Sequence, residues 1–217
     1  MKLAKDCLDV GCLSDDPALL DFFATEVGLG EPEVLRVTKR VTQHRFDVDG
    51  SVVKVNLVDR LETEERSGYR RVLIAAPGER RDLVGPDGIA VSVGDVGIGQ
   101  LGIELAVPEL AAARRYFADT LGWSVDGDRV TLGRSVIDLV DGGPATVPDQ
   151  VRGWTYLTVQ IWDCDAETAT AIERGASLAQ PAVTMGETAR FSMITDPWGN
   201  RLELSQRASL TGPLPPN

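Results

Sequence analysis

Apolar and polar positions change period along this chain in a recurring order. Residues 7–13 are a short apolar run of strand character. Ser14-Asp15-Asp16-Pro17 follows as a cap with an early proline. Leu19, Leu20, Phe22, Phe23 and Val27 then recur at helical spacing, and Gly28 ends the run. Residues 34–48 and 52–58 are rich in valine and predict strands, turned by Asp49-Gly50. A charged stretch, 60–68, predicts a loop. Residues 72–76 and 89–93 predict two more strands, the second entered through Gly85-Pro86-Asp87-Gly88.

The order then restarts. Residues 102–107 predict a strand, and Pro108-Glu109 opens a helix with the apolar stripe Leu110, Ala113, Phe117 and Leu121, closed by Gly122. Short strands follow at 123–125, 130–132 and 136–140. Residues 154–161 predict another strand, Asp165 caps a helix over 166–174, and Gly175 stops it. Strands are predicted at 183–186, 190–194 and 201–204. Three segments also match in order between the two parts of the chain. Phe22-Phe23-Ala24-Thr25-Glu26-Val27-Gly28-Leu29 aligns with Tyr116-Phe117-Ala118-Asp119-Thr120-Leu121-Gly122-Trp123, and Lys54-Val55-Asn56-Leu57-Val58-Asp59 with Val136-Ile137-Asp138-Leu139-Val140-Asp141. Gly85-Pro86-Asp87-Gly88-Ile89 aligns with Asp196-Pro197-Trp198-Gly199-Asn200. The pattern predicts related halves, 1–94 and 100–207, joined by a glycine-rich linker at 95–99. The first half lacks the helix of its second unit, and residues 208–217 form a flexible tail.

Charge and composition narrow the partners. Thirty-three acidic and 22 basic residues give a net charge of −11, which repels a phosphate backbone, so no nucleic-acid partner is expected. The longest apolar runs are about six residues, against the ~20 of a membrane helix. The first residues turn acidic before any apolar stretch, so no secretory signal is expected. Three cysteines, Cys7, Cys12 and Cys164, without zinc-ligand spacing, fit reduced thiols in a cytoplasm. The single histidine, His44, cannot supply a two-histidine metal site within one chain. Gly97-Ile98-Gly99-Gln100-Leu101-Gly102 matches a dinucleotide fingerprint in letters only, since a strand follows it where a helix is required.

The repeated strand–helix–strands unit, together with Asp196-Pro197-Trp198-Gly199-Asn200-Arg201-Leu202-Glu203-Leu204, resembles the vicinal oxygen chelate superfamily, which includes glyoxalase I, bleomycin-resistance proteins and extradiol dioxygenases. The resemblance implies an α+β fold of repeated βαβββ modules whose curved mixed sheets enclose a cavity. It makes 100–207 a complete paired-module domain and 1–94 a reduced copy. It also implies metal ligands on the opening and closing strands of each module. Carried over position by position, the closing strands give Glu203 and Asp138, while the opening strands give Tyr156 and Gly102. In the first half the corresponding places fall on Leu8, Asn56 and Ser92, with Tyr69 the loosest match. Both positions usually held by histidine or glutamine are therefore lost. Any divalent metal would rest on Glu203 and Asp138, and the cofactor is either none or such a metal.

Residues in phase with these positions are Glu104, and Tyr156, Thr158 and Gln160. On this reading Glu104, Asp138 and Glu203 converge on one acidic pocket of the C-terminal half. Trp154, Phe191 and Met193 stand near its mouth. Such a pocket suits a small cationic or aromatic molecule, bound without chemistry. The alternative is a lyase, isomerase or epimerase in which Glu203, with Glu104 or Tyr156, moves a proton. Ring-opening dioxygenation is disfavoured, because its iron needs histidines that this chain lacks. The reduced first half would leave a sheet uncovered, which predicts a homodimer through residues 1–94.

Overall fold

The computed structural model describes residues 1–215. Four modules follow one another. The first runs β1 (Leu3–Ser14), α1 (Ala18–Asp21), β2 (Glu33–Arg36), β3 (Val41–Val48) and β4 (Ser51–Val58). The second has β5 (Tyr69–Ala75), β6 (Arg81–Val84) and β7 (Ala90–Gly94), with only a 3-10 turn at Pro86–Gly88 where a helix would stand. The third is β8 (Leu101–Val107), α2 (Leu110–Arg115), β9 (Ser124–Asp126), β10 (Arg129–Leu132) and β11 (Ser135–Asp141). The fourth is β12 (Gly153–Ile161), α3 (Cys164–Glu173), β13 (Ser177–Met185), β14 (Ala189–Thr195) and β15 (Arg201–Arg207), followed by the single turn α4 (Ala208–Thr211). This is a mixed α+β protein of βαβββ modules in which strands dominate.

The repeat is visible in local geometry. Both α1 and α2 widen into π turns, at Phe22–Val27 and Tyr116–Thr120, and both runs end at a left-handed glycine, Gly28 (φ 89°) and Gly122 (φ 71°). Asp49 (φ 49°) and Gly50 (φ 87°) are both left-handed, the geometry of a tight two-residue hairpin between β3 and β4. The strand predicted over 34–48 is broken at 37–40, where the Thr38 hydroxyl accepts from the Arg40 and Val41 amides and turns the chain back. Leu19, Phe22, Phe23 and Val27 bury the helical face against the sheet. The Phe23 ring lies 5.6 Å from Phe46 and 5.9 Å from Trp154. Each such phenyl contributes about 1.5–3 kcal/mol by leaving water.

Two sheets result. One has eight strands in the order β13-β14-β15-β12-β1-β4-β3-β2, and the other seven in the order β6-β7-β5-β8-β11-β10-β9. The first module is therefore continuous with the fourth, through antiparallel β1 and β12, and the second with the third, through antiparallel β5 and β8. The sequence assigns 100–207 a pairing within itself. In the structure each of its modules pairs with one from 1–94 instead. The reason lies in the edges. Within each module the closing strand takes one edge of the opening strand and leaves the other free. Both modules of the first half are thus paired within the chain, while β2 and β6 remain the outer strands of their sheets.

Two polar knots hold the joints. At the Asp196-Pro197-Trp198-Gly199-Asn200 turn, Asp196 Oδ1 accepts from the Trp198 and Asn200 amides, each at 2.9 Å, and Oδ2 accepts from Asn200 Nδ2 at 2.7 Å. Asn200 Oδ1 in turn accepts from the Gly68 amide at 2.6 Å, tying the fourth module to the second. Farther along, buried Arg152 donates to Asp15, Asp87 and the Leu61 and Thr63 carbonyls, which fixes the 59–68 loop. All three cysteines are buried and free. Of the tail, 208–211 is helical and the Pro215 carbonyl accepts from Thr184, while 216–217 lie outside the described residues. No helix among the described residues is long and apolar enough to cross a membrane.

Candidate functional site

A cavity of about 510 Å³ opens on the concave face of the eight-stranded sheet, between the first and fourth modules. Its wall follows from two-residue alternation. Strand β4 contributes Lys54 and Asn56, β3 contributes Gln43 and Arg45, and β12 contributes Tyr156 and Gln160. Glu203, Ser205 and Arg207 come from β15, and Phe191 and Met193 from β14. The intervening residues Val53, Val55, Leu157, Val159, Leu202 and Leu204 face the core.

Lys54 is the centre of the floor. Its ammonium donates to the Thr158 hydroxyl at 2.6 Å, lies 3.4 Å from Glu203 Oε1 and 4.0 Å from Asp9 Oδ2, and sits 5.5 Å from the centre of the Tyr156 ring. Asp9 is held beneath the wall, accepting from the Val52 amide at 2.9 Å and from Gln160 Nε2 at 3.2 Å. A second chain of bonds runs from Arg45 to Gln43 (3.0 Å), Gln43 to Asn56 (2.9 Å) and Asn56 to the Tyr156 hydroxyl (3.2 Å). Burial, and then the Glu203 charge, push the Tyr156 phenol well above its ordinary range, so its hydroxyl stays protonated. Burial, and then its neighbour Arg45, lower the pKa of Arg207.

Four of the residues named from sequence therefore meet here: Tyr156, Thr158, Gln160 and Glu203, joined by Phe191 and Met193 on the wall. Three do not. Glu104 and Asp138 stand side by side on the other sheet. There Arg71 lies 3.5 Å from Glu104, and Arg129 grips Asp138 at 2.7 and 2.9 Å. The convergence of Glu104, Asp138 and Glu203 fails because β8 and β12 belong to different sheets. Trp154 also leaves the wall. Between Gly11–Tyr156 and Cys12–Trp154, β12 advances two residues while β1 advances one. This bulge at Thr155 turns Trp154 to the core side with Cys12, where its indole donates to the Ala90 carbonyl. His44 faces away from the cavity, between Gln43 and Arg45, and burial lowers its pKa.

The wall is basic where an acidic pocket was expected. Among the described residues Arg36, Arg45, Lys54 and Arg207 line it against the single carboxylate Glu203. Lys54, Gln43 and Arg45 were missed because they lie in the first half, which sequence reasoning set aside, although it named Asn56 there as a closing-strand position. Their signal was nevertheless present, since Lys54 and Asn56 alternate with Val53, Val55 and Leu57 just as Glu203 and Ser205 alternate with Leu202 and Leu204.

Strand register also identifies the places where a metal would be held. Gly11 stands opposite Tyr156. Asn56 pairs with Leu13, two residues after Gly11, as Glu203 pairs with Thr158, two residues after Tyr156. The quartet is thus Gly11, Asn56, Tyr156 and Glu203, and the opening-strand place on β1 is Gly11 rather than Leu8, which is fully buried in the core. These donors do not fit a metal. Gly11 has no side chain, and the Tyr156 ring fills the space that a Cβ there would need. Tyr156 keeps its proton, and Glu203 already faces an ammonium. Among the described residues no group of three or more His, Cys, Asp or Glu is arranged to hold a metal ion.

Comparisons with known proteins agree with this architecture. Residues 97–204 match the sequence profile of the Glyoxalase/Bleomycin resistance protein/Dioxygenase superfamily. A protein of Mycobacterium tuberculosis named "Putative glyoxylase CFP32" is 27% identical over 116 residues, and the match spans 48% of this chain but only 44% of that protein. Among solved structures, a single-substitution variant of glyoxalase I from Zea mays superimposes with a TM-score of 0.72 at 13% identity, covering 94% of this chain and 93% of that one. The unsubstituted maize enzyme gives 0.70 at 12% identity, with 92% of each chain covered. With the profile match over the third and fourth modules and the shared fold over all four, the chain belongs to the glyoxalase/bleomycin resistance/dioxygenase superfamily, the vicinal oxygen chelate group.

Proposed function

We propose that the cavity between the first and fourth modules binds a small organic molecule, with Lys54 in place of a resident metal. One observation carries this reading. The Lys54 ammonium is fixed 3.4 Å from Glu203 and 2.6 Å from the Thr158 hydroxyl, at the floor of a cavity large enough for a ligand of drug-like size. It supplies the positive charge that a closing-strand carboxylate would otherwise take from a metal. The test is elemental mass spectrometry of untagged protein purified without chelators, paired with a thermal-shift screen of small organic compounds. The expected result is transition metal far below one equivalent and stabilisation by a subset of the compounds. One equivalent of metal that disappears in Glu203→Ala would overturn it.

A second reading is favoured by one feature. Glu203 is the sole carboxylate of the wall among the described residues, and the protonated Tyr156 hydroxyl lines the same cavity. A bound carbon acid placed between them could pass a proton to Glu203 while Tyr156 donates to the developing oxyanion, the chemistry of a lyase, isomerase or epimerase. Incubating the bound compound in D₂O separates the readings. Deuterium incorporation that is abolished in Glu203→Gln supports catalysis, and its absence supports binding alone.

A further inference from the structure

Resting on the reading of this cavity as a small-molecule site, we propose that its ligand is an organic anion carrying a hydrogen-bond donor on an apolar or aromatic body. Three of the four basic side chains of the wall are already engaged. Lys54 has Glu203 and Asp9, and Arg45 has Gln43 and Glu33 at 3.2 Å. Arg36 donates to the Lys39 carbonyl. Arg207 has no ion pair and no side-chain hydrogen bond among the described residues, although it is half-buried and lines the cavity. A guanidinium cannot shed its charge near neutrality, so it seeks an anion, and a carboxylate fits its fork. The chain as a whole carries −11 and repels anions, which makes this basic wall a local feature of the cavity.

Gln160 adds an independent constraint. Its amide nitrogen donates to Asp9, which can only accept, so the amide orientation is fixed. Its Oε1 is left buried with no partner, in a residue that is 2% exposed and lines the cavity. That oxygen calls for an O–H or N–H from the ligand. Gln160 lies across from Ser205, and Arg207 is two residues farther along β15, about 6.6 Å of strand. The ligand's donor and its anionic group therefore sit on a span of that order. Phe191 and Met193, paired in register with Ser205 and Glu203, form the apolar wall beside them.

The experiment is a thermal-shift and calorimetric screen of the full chain. The probes are aryl carboxylates, each beside its primary amide, its amine and its donor-methylated form. Indole acetic acid, indole acetamide, tryptamine and N-methylindole acetic acid make one such set. Stabilisation confined to the acids, weakened at least tenfold by Arg207→Gln, supports the proposal. So does a several-fold loss on donor methylation that vanishes in Gln160→Leu. Arg207 is only half-buried, so its variant keeps the test usable if the Gln160 variant does not fold. Stabilisation by amines or neutral amides that Arg207→Gln leaves unchanged overturns the anion and keeps the cavity as a binding site. No stabilisation by any compound overturns both.

Discussion

The Lys54 ammonium and the Glu203 carboxylate, 149 residues apart in sequence, meet at 3.4 Å on one cavity wall. The contact exists because β4 and β15 flank the paired strands β1 and β12. Lys54 is 5% exposed at its side chain and Asp9 only 1%. Removing the ammonium leaves Glu203 without its cation and leaves Asp9 with Lys5 alone, whose ammonium lies 2.5 Å from Asp9 Oδ1. Lys54→Met is expected to cost about 3–5 kcal/mol in urea unfolding, the usual result of breaking a buried charge set. A loss below about 1 kcal/mol, the range of an exposed pair, would show that Lys5 and water neutralise Asp9 without it.

Gly11 tests how the Tyr156 ring is seated. A Cβ at Gly11 would collide with three atoms of that ring. The backbone there is ordinary, so the effect of Gly11→Ala is steric. The variant should push the ring into the cavity, cost about 1–3 kcal/mol, and alter the near-ultraviolet circular dichroism. An unchanged spectrum with unchanged stability would mean that the ring and β1 are not in contact.

Asp196 gives stability a definite pH dependence. Burial raises its carboxyl above the ordinary value of 3.8, although hydrogen bonds from Asn200, Trp198 and Gly199 pull the other way. The folded state therefore binds more protons than the unfolded state above that value, and this group's contribution falls as pH rises through the window. Asp196→Asn removes the titration and sets an amide nitrogen against the Asn200 amide, a loss of about 1–3 kcal/mol. In urea titrations begun near the ordinary carboxylate value and carried upward, the gap between the parent and Asp196→Asn should narrow as pH rises. A gap that widens contradicts the assigned direction.

Arg152 governs the loop between the first and second modules. Its guanidinium binds the Leu61 and Thr63 carbonyls as well as Asp15 and Asp87, so the loop is held from one point. Arg152→Leu should release residues 59–66 before the rest of the fold opens. Limited trypsin digestion, read by mass spectrometry, should show cleavage after Arg60 and Arg66 severalfold faster than in the parent. First cuts elsewhere would place the weakest segment outside this loop.

The module order could be read directly from the chain, because each module announces itself locally. Phe22-Phe23 and Tyr116-Phe117 start equivalent π turns, and Asp196 with Asn200 builds its turn from residues four apart. The same local alternation put Tyr156, Thr158, Gln160 and Glu203 on one face. Which modules pair was not legible, because pairing is a choice among four similar strand edges far apart in sequence. That choice moved Glu104 and Asp138 to another sheet, brought Lys54 and Arg45 to the site, and reversed its charge. The Thr155 bulge was equally hidden, since it depends on where Cys12 meets Trp154.

The pairing itself can be tested by removing half of it. A chain of residues 98–217 keeps the third and fourth modules but loses β1 from the edge of β12 and β5 from the edge of β8. Each opening strand then presents a row of unpaired backbone groups. It also exposes Leu157, Val159, Ile103 and Leu105, which the complete chain buries. The full chain satisfies both edges internally and should run as a monomer in light scattering. The fragment should either fail to fold or associate through these edges, with a mass of at least two copies. A monomeric fragment with the circular dichroism of a folded sheet would show that 100–207 closes on itself, as its sequence alone suggests. It would also show that the contact between Lys54 and Glu203 is dispensable for the fold.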